Sequence, residues 1–88
     1  MSLKLPTVVA MLEDWKRQNK ELDQMLNEVN SNEAFAVWED MVKAHNEKLR
    51  WAFWKDTEHI NSWSHCKDAS TSWIVEMAEK AQKEDANG

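Results

Sequence analysis

The sequence has few of the residues that build sheets, crosslinks and tight turns. Its 88 residues include one Cys, one Gly, one Pro and no Tyr. A single Cys cannot pair within the chain, so intramolecular disulfides are excluded, and this usage favours a reducing compartment such as the cytoplasm. Gly occurs only at position 88 and Pro only at position 6, which leaves few turn signals for a sheet. These absences predict an all-α protein.

Positive charge and long apolar runs are also scarce. Eleven Lys and Arg stand against sixteen Asp and Glu, which gives a net charge of −5. No segment forms a basic stripe, so we expect no binding to nucleic acid or to an anionic membrane. No run approaches the roughly 18 apolar residues of a membrane span. The apolar stretch 5–12 contains Pro and Thr and is followed by two acidic residues, which is typical of a helix start and not of a signal peptide.

The length corresponds to one domain, residues 1–88, and its first helix is predicted over residues 6–29. Pro6 suits the first turn of a helix. Apolar residues then recur at alternating steps of four and three, the heptad spacing of a coiled coil. Asn19 falls inside this seam. Either it is buried and fixes the register of a coiled coil, or it lies at the edge of an intramolecular interface and binds water. The seam comprises Val8, Leu12, Trp15, Asn19, Leu22, Leu26 and Val29.

Cap-forming residues at 30–33 separate this helix from a second one, predicted over residues 32–66. A third helix is predicted over 69–83, with 1–5 and 84–88 as loose ends. A second break near Asp56 would give four helices, but the apolar stripe crosses that point without a change of register. The predicted fold is therefore an antiparallel helical hairpin with a shorter third helix, a three-helix bundle that we expect to form a homodimer. The stripe comprises Phe35, Trp38, Val42, His45, Leu49, Ala52, Phe53, Ile60 and Trp63.

Trp51 and Trp54 lie on the other side of the second helix from this stripe. Lys43, Arg50 and Trp54 fall within about 40° of one another at 100° per residue, with Trp51 on the flank. Trp and Arg often dominate binding energy at protein interfaces. Three interpretations stay open: the third helix covers these residues as ordinary core, they bind a protein, or they stack a nucleotide-like anion. We take these four residues as the candidate partner-binding site.

Residues with metal-binding or catalytic chemistry are few. His59 and His65 are six residues apart, which places them about 120° apart on a helix and not on the shared face that zinc requires. Cys66 lacks the glycine-rich loop or strand end that would supply oxyanion donors to a nucleophile. His45 on the stripe is predicted to be a core or interface histidine with a hydrogen-bond partner. We therefore expect no catalytic residue, no metal and no cofactor.

These patterns predict a small non-enzymatic interaction protein. We expect it to bind and regulate or inhibit a protein partner through a Trp-rich helical surface. The alternative is a protein that binds a small nucleotide-like anion on the Trp, Arg and Lys face of the second helix. The sequence does not identify the partner.

Overall fold

A computed structural model describes residues 5–87, with side chains described through Glu84. It contains helices and no strand in that part of the chain, so the all-α prediction is confirmed. The described residues form four helices, and the predicted three-helix bundle is wrong in this respect. They are α1 (Pro6–Leu26), α2 (Asn32–Thr57), α3 (Trp63–Asp68) and α4 (Thr71–Asn87).

The first helix is capped by a residue from the second. The backbone N–H groups of Thr7 and Val8 donate to the Asp56 carboxylate at 3.2 and 2.8 Å, which satisfies two of the unpaired donors of the first turn. A negative charge at a helix N-terminus is also favourable for the helix dipole. The helix ends at Leu26, three residues before the predicted end, because the chain there forms i to i−3 turn bonds, such as the one from Val29 N to Leu26 O.

The second helix begins where the sequence predicted. The Ser31 hydroxyl accepts a hydrogen bond from Ala34 N at 3.1 Å, which caps α2. The bonds from α1 to Asp56 and the bond from Trp38 to Leu22 pair opposite ends of the two helices, so α1 and α2 lie antiparallel.

The prediction of one continuous helix over 32–66 is wrong. α2 ends at Thr57, which is buried and whose hydroxyl donates to the Phe53 carbonyl oxygen at 2.8 Å. The Ser62 hydroxyl then accepts from His65 N and caps α3. Ile60, predicted to lie on the buried stripe, is 61% exposed in the turn between the helices.

The predicted loose ends also need correction. Leu5 is fully buried in the core, so the chain is ordered at least from that residue. The last helix begins at Thr71 and not at 69, with the Ser70 hydroxyl accepting from Trp73 N, and it continues through Asn87 beyond the predicted end at 83. Met1–Lys4 and Gly88 lie outside the described residues.

The core lies at one end of the hairpin, where α3 and α4 cover it. No residue between 22 and 42 belongs to this core cluster or packs against it, in the described part of the chain. We call residues 22–42 the tip and the rest of the described chain the base. The molecule measures 49 × 29 × 15 Å along its principal axes, which leaves room for only a thin layer of helices. The core cluster comprises Leu5, Val8, Leu12, Leu49, Ala52, Phe53, Cys66, Ile74, Ala78 and Ala81.

Candidate functional site

The hairpin has one face that no other described helix covers. On α2, Phe53 forms an edge-to-face pair with Trp73 of α4, and Arg50 bonds to the start of that helix. Met41, Lys48 and Trp51 lie on the opposite side of α2 at 100° per residue. The face that carries these residues is therefore open, whereas the other face is covered at the base.

A groove runs along this open face between α1 and α2. It consists of four cavities of about 620, 210, 410 and 310 Å³, and each shares lining residues with the next. On α1 it extends from Thr7 to Met25, about 27 Å at 1.5 Å per residue. We call it the open groove. Its apolar lining includes Met11, Met25, Val37, Met41, Ala44, Trp51 and Trp63.

The structure places Trp51 and Trp54 in different environments. Trp51 is 51% exposed and lines the largest cavity of the open groove. Trp54 is half-buried, packs against the core and forms an edge-to-face pair with Trp63 of α3 at 5.8 Å. The Lys55 ammonium lies 5.9 Å from the Trp51 ring centroid and 5.6 Å from that of Trp54. Trp54 is therefore partly covered, with Trp63 of α3 against its ring, whereas Trp51 remains exposed.

Arg50 has a role inside the molecule that the sequence did not indicate. Its guanidinium donates to the Cys66 carbonyl at 3.1 Å, to the Ala69 carbonyl at 3.0 Å and to the Thr71 hydroxyl at 3.3 Å. It also pairs with Glu47 at 3.2 Å, and only 13% of the side chain is exposed. The planar fork of donors suits several acceptors at once. Arg50 thus ties the end of α3 and the start of α4 to α2.

Lys43 is exposed on α2 and does not line the open groove. The four predicted site residues are therefore not one constellation. Trp51 and Trp54 come together around Lys55, whereas Arg50 and Lys43 point elsewhere. Sequence reasoning missed Met41, which continues the row of Trp51 on α2 at helical spacing, and Met25, which lines the same groove from α1.

His45 is buried, as predicted, at the floor of the open groove. It is 6% exposed and stacks on the Trp15 ring, with centroids 5.0 Å apart and planes 6° apart. Its Nε2 and the Trp15 Nε1 have no hydrogen-bond partner among the described residues. Burial lowers the pKa of His45, and the Lys48 ammonium lowers it further, against a hydrogen bond with the Trp15 backbone that raises it. His45 is therefore neutral at pH 7.

The remaining candidates for metal or nucleophile chemistry are dispersed. His59 and His65 are exposed, whereas Cys66 is fully buried. Burial raises the pKa of the Cys66 thiol, with Thr57 and Arg50 acting in the other direction. Across the described residues, no three side chains of His, Cys, Asp or Glu converge on a common point.

Asn19 lies half-buried, which fits the interface-edge interpretation better than a buried coiled-coil position. It lines a cavity of about 400 Å³ between α1, α2 and α4, together with Trp15 and Asn46. This cavity is on the covered side of the hairpin and is polar, so it is distinct from the open groove.

No family model matches this chain, and no curated protein or solved structure matches it either. Within the described residues, no helix has the length and apolar character needed to cross a bilayer. The class that fold and site define is thus a small all-helical protein with an uncovered apolar groove.

Proposed function

We propose that this chain is a small non-enzymatic interaction protein that binds a helix of a protein partner in the open groove and thereby regulates or inhibits that partner. One observation carries the proposal. A continuous apolar groove about 27 Å long lies between two antiparallel helices, and no described element covers it. An amphipathic helix fits a groove of this kind, with apolar side chains at i, i+3, i+4 and i+7 as anchors.

The side chains in the groove support binding to a protein surface. Met11, Met25 and Met41 are unbranched and adapt to irregular partners, and methionines are frequent at such surfaces. Trp51 contributes a large, half-exposed ring, and Trp is the residue most often found at binding hot spots. An apolar patch of this extent on a small monomer is typical of an interaction site.

The alternative of a nucleotide-like anion has less support. This alternative requires Arg50 and Lys43 as the cations that contact the anion. The Arg50 guanidinium already holds two carbonyl oxygens and a hydroxyl, and Lys43 lies away from the Trp51 ring. Lys55 occupies the region over both rings. We therefore do not advance this alternative further.

The homodimer and the cytoplasmic location stay predictions. A dimer would bury Trp51 of each copy at the end of the groove that lies in the base, where Glu47 and Lys48 provide one charge of each sign. Sedimentation equilibrium that gives a single monomeric species at high micromolar concentration would contradict it. The lone, buried thiol of Cys66 supports a reducing compartment.

The proposal can be tested by photo-crosslinking in the cell of origin. A benzoylphenylalanine residue at position 41 places the probe in the open groove. The matched control carries it at position 80, an exposed Lys on α4. We expect a defined protein adduct from position 41 that the Trp51→Ala change suppresses. The Ile60→Ala change, also at an exposed apolar residue but outside the groove, leaves it intact. Equal adducts from positions 41 and 80 would refute the proposal.

A further inference from the structure

The charge of this molecule is concentrated in the tip. Residues 22–42 hold five acidic residues and no Lys, Arg or His. The other eleven acidic residues and all eleven basic residues lie outside this segment, so the rest of the chain has no net charge. The whole formal charge of −5 therefore belongs to about a quarter of the sequence. The five are Asp23, Glu28, Glu33, Glu39 and Asp40.

The same segment exposes most of the large apolar side chains that the molecule leaves uncovered. Only Leu22 is buried there. Five apolar side chains of the tip are 40% to 61% exposed, and three of them line the end cavity of the open groove, of about 310 Å³, beside Glu28 and Trp38. Acidic and apolar groups are thus interleaved on two adjacent helices. The five are Met25, Leu26, Phe35, Val37 and Met41.

We propose that the tip is the docking site for a basic amphipathic helix of a protein partner, with apolar anchors in the open groove and Lys or Arg on its flanks. This rests on the proposed function and names the chemistry of the partner. Glu28 lines the end cavity of the open groove, and the other carboxylates of the tip add to the negative potential that attracts the flanking cations, while Met25, Val37 and Met41 contact the apolar anchors.

Charge also determines which way the occupant lies. At the base end of the groove, Lys48 lines the cavity and Lys55 lies above Trp51. A basic flank placed there would meet two cations beside the single carboxylate of Glu47, whereas at the tip it meets carboxylates alone. The basic half of the partner helix therefore lies at the tip, and its neutral or acidic half lies toward Trp51.

A second copy of this chain does not fit the tip. Two tips brought together would place five negative charges against five, with no cation in either segment. Like charges facing each other across an interface weaken association. A cationic partner removes this repulsion and covers the same apolar surface.

The test uses labelled helical peptides of about 18 residues, matched to the groove length. Three peptides share the same Leu anchors and differ only in their flanks, which are Lys, Gln or Glu. A fourth has the composition of the Lys peptide in scrambled order. We expect the Lys peptide to bind with one-to-one stoichiometry, about tenfold tighter than the Gln peptide, and the Glu peptide to bind weakest. Salt should reduce this difference by screening.

Two matched variants locate the effect. The tip variant carries Glu28→Gln, Glu39→Gln and Asp40→Asn. The base variant carries the same change in charge through Asp68→Asn, Glu76→Gln and Glu84→Gln, all at exposed residues. None of these six carboxylates takes part in an ion pair in the described structure. We expect the tip variant to lose the tenfold advantage of the Lys peptide and the base variant to keep it.

Each other outcome overturns the inference in a distinct way. If the Gln peptide binds as tightly as the Lys peptide, the groove binds helices without preference for charge, and only the proposed function stands. If no amphipathic peptide binds, both fail. Equal losses in the two variants, or equal binding of the scrambled peptide, would show a general charge effect. A dimer of the free protein that Val37→Asp dissociates would show that a second copy occupies the tip.

Discussion

The base and the tip share α1 and α2 and differ in what covers these two helices. In the base, Phe53 is 1% exposed and packs edge-to-face on Trp73 of α4. In the tip, Phe35 is 44% exposed, and its aromatic neighbour is Trp38 at 5.7 Å. The heptad-like pattern of the sequence continues through both regions. Burial therefore depends on whether a third helix is present and not on the pattern of the hairpin itself.

This difference has an energetic meaning. Most helix stability in proteins comes from packing an apolar face, and short isolated helices are marginal. In the tip, the Ser31 cap and the bond from Trp38 Nε1 to the Leu22 carbonyl, at 2.7 Å, hold the turn of the hairpin in place of a core. A preformed but incompletely covered hairpin can receive a partner at low conformational cost.

The largest expected effect compares the two phenylalanines directly. Phe53→Ala should lower the free energy of unfolding by about 3–5 kcal/mol, because it leaves a cavity in the core. Phe35→Ala should lower it by only about 0.5–1.5 kcal/mol, the contribution of its aromatic pair. Urea denaturation followed by circular dichroism measures both. If the Phe53 variant does not fold, Phe53→Leu gives the milder comparison. Equal losses at the two positions would contradict the distinction between base and tip.

Arg50 is expected to have the next largest effect, because it joins α3 and α4 to the hairpin. Arg50→Leu should lower the free energy of unfolding by about 2–3 kcal/mol, since two carbonyl oxygens lose a charged donor. Arg50→Lys should recover only part of this loss, because an ammonium lacks the planar fork. Lys43→Leu is the matched control on the same helix and should change stability by less than about 0.5 kcal/mol. An Arg50→Leu variant with an unchanged free energy of unfolding would show that the four bonds are dispensable.

Asp56 tests the end of the hairpin that lies in the base, where its carboxylate caps the first turn of α1. Asp56→Ala removes the acceptor of two N–H groups in the first turn of α1 and should cost about 1 kcal/mol, as for a helix cap. Asp56→Asn keeps an oxygen acceptor and should cost less. Asp40→Ala, at an exposed carboxylate of the tip, should have little effect on stability. Hydrogen exchange of the first-turn amides of α1 measures the change locally, and unchanged exchange would contradict the cap.

The smallest expected effect is a dependence of stability on pH. The pKa of His45 is lowered in the folded protein, so the unfolded chain takes up a proton first as the pH falls. Stability is therefore full above about pH 6.5 and decreases from there down to the lower pKa of the folded state. The charged groups around His45 are Lys48 on α2 and Asp14 and Glu21 on α1.

Denaturation at several values between about pH 7.5 and 5 should show this loss in the native chain. His45→Phe removes the titrating group and the unpaired Nε2, so we expect a smaller dependence on pH. His59→Gln, at an exposed histidine, should retain the full dependence. The same slope in the His45→Phe chain would assign the effect to another group.

The sequence predicted the parts of the fold that depend on local signals. The cap at Ser31 and the heptad seam of α1 were recognisable because cap chemistry and apolar spacing depend on residues that are close together in the sequence. The break after Thr57 was recognised only as an alternative near Asp56 and was not favoured, because the apolar stripe keeps its register through Ile60. What ends α2 there is tertiary: Thr57 is buried, and Arg50 holds the carbonyl groups of α3. Such contacts between distant residues leave no local signal.

The candidate site was predicted only in part. The position of Trp51 on the helix places it away from the buried stripe, and it is exposed in the structure, but Arg50 could not be separated from it without knowing where α3 ends. The acidic character of the tip was hidden for a geometric reason. Counts of net charge by predicted segment divide the hairpin at its turn, and residues 22–31 and 32–42 come together only when the two helices pair.

The burial of Cys66 gives the molecule a built-in reporter. The thiol is fully enclosed between Thr57 and the core, and its raised pKa keeps it protonated and unreactive at neutral pH. A thiol reagent can modify it only in molecules whose α3 has separated from α2. The rate of that modification therefore measures how often the base opens, without any added label and separately from motion of the tip.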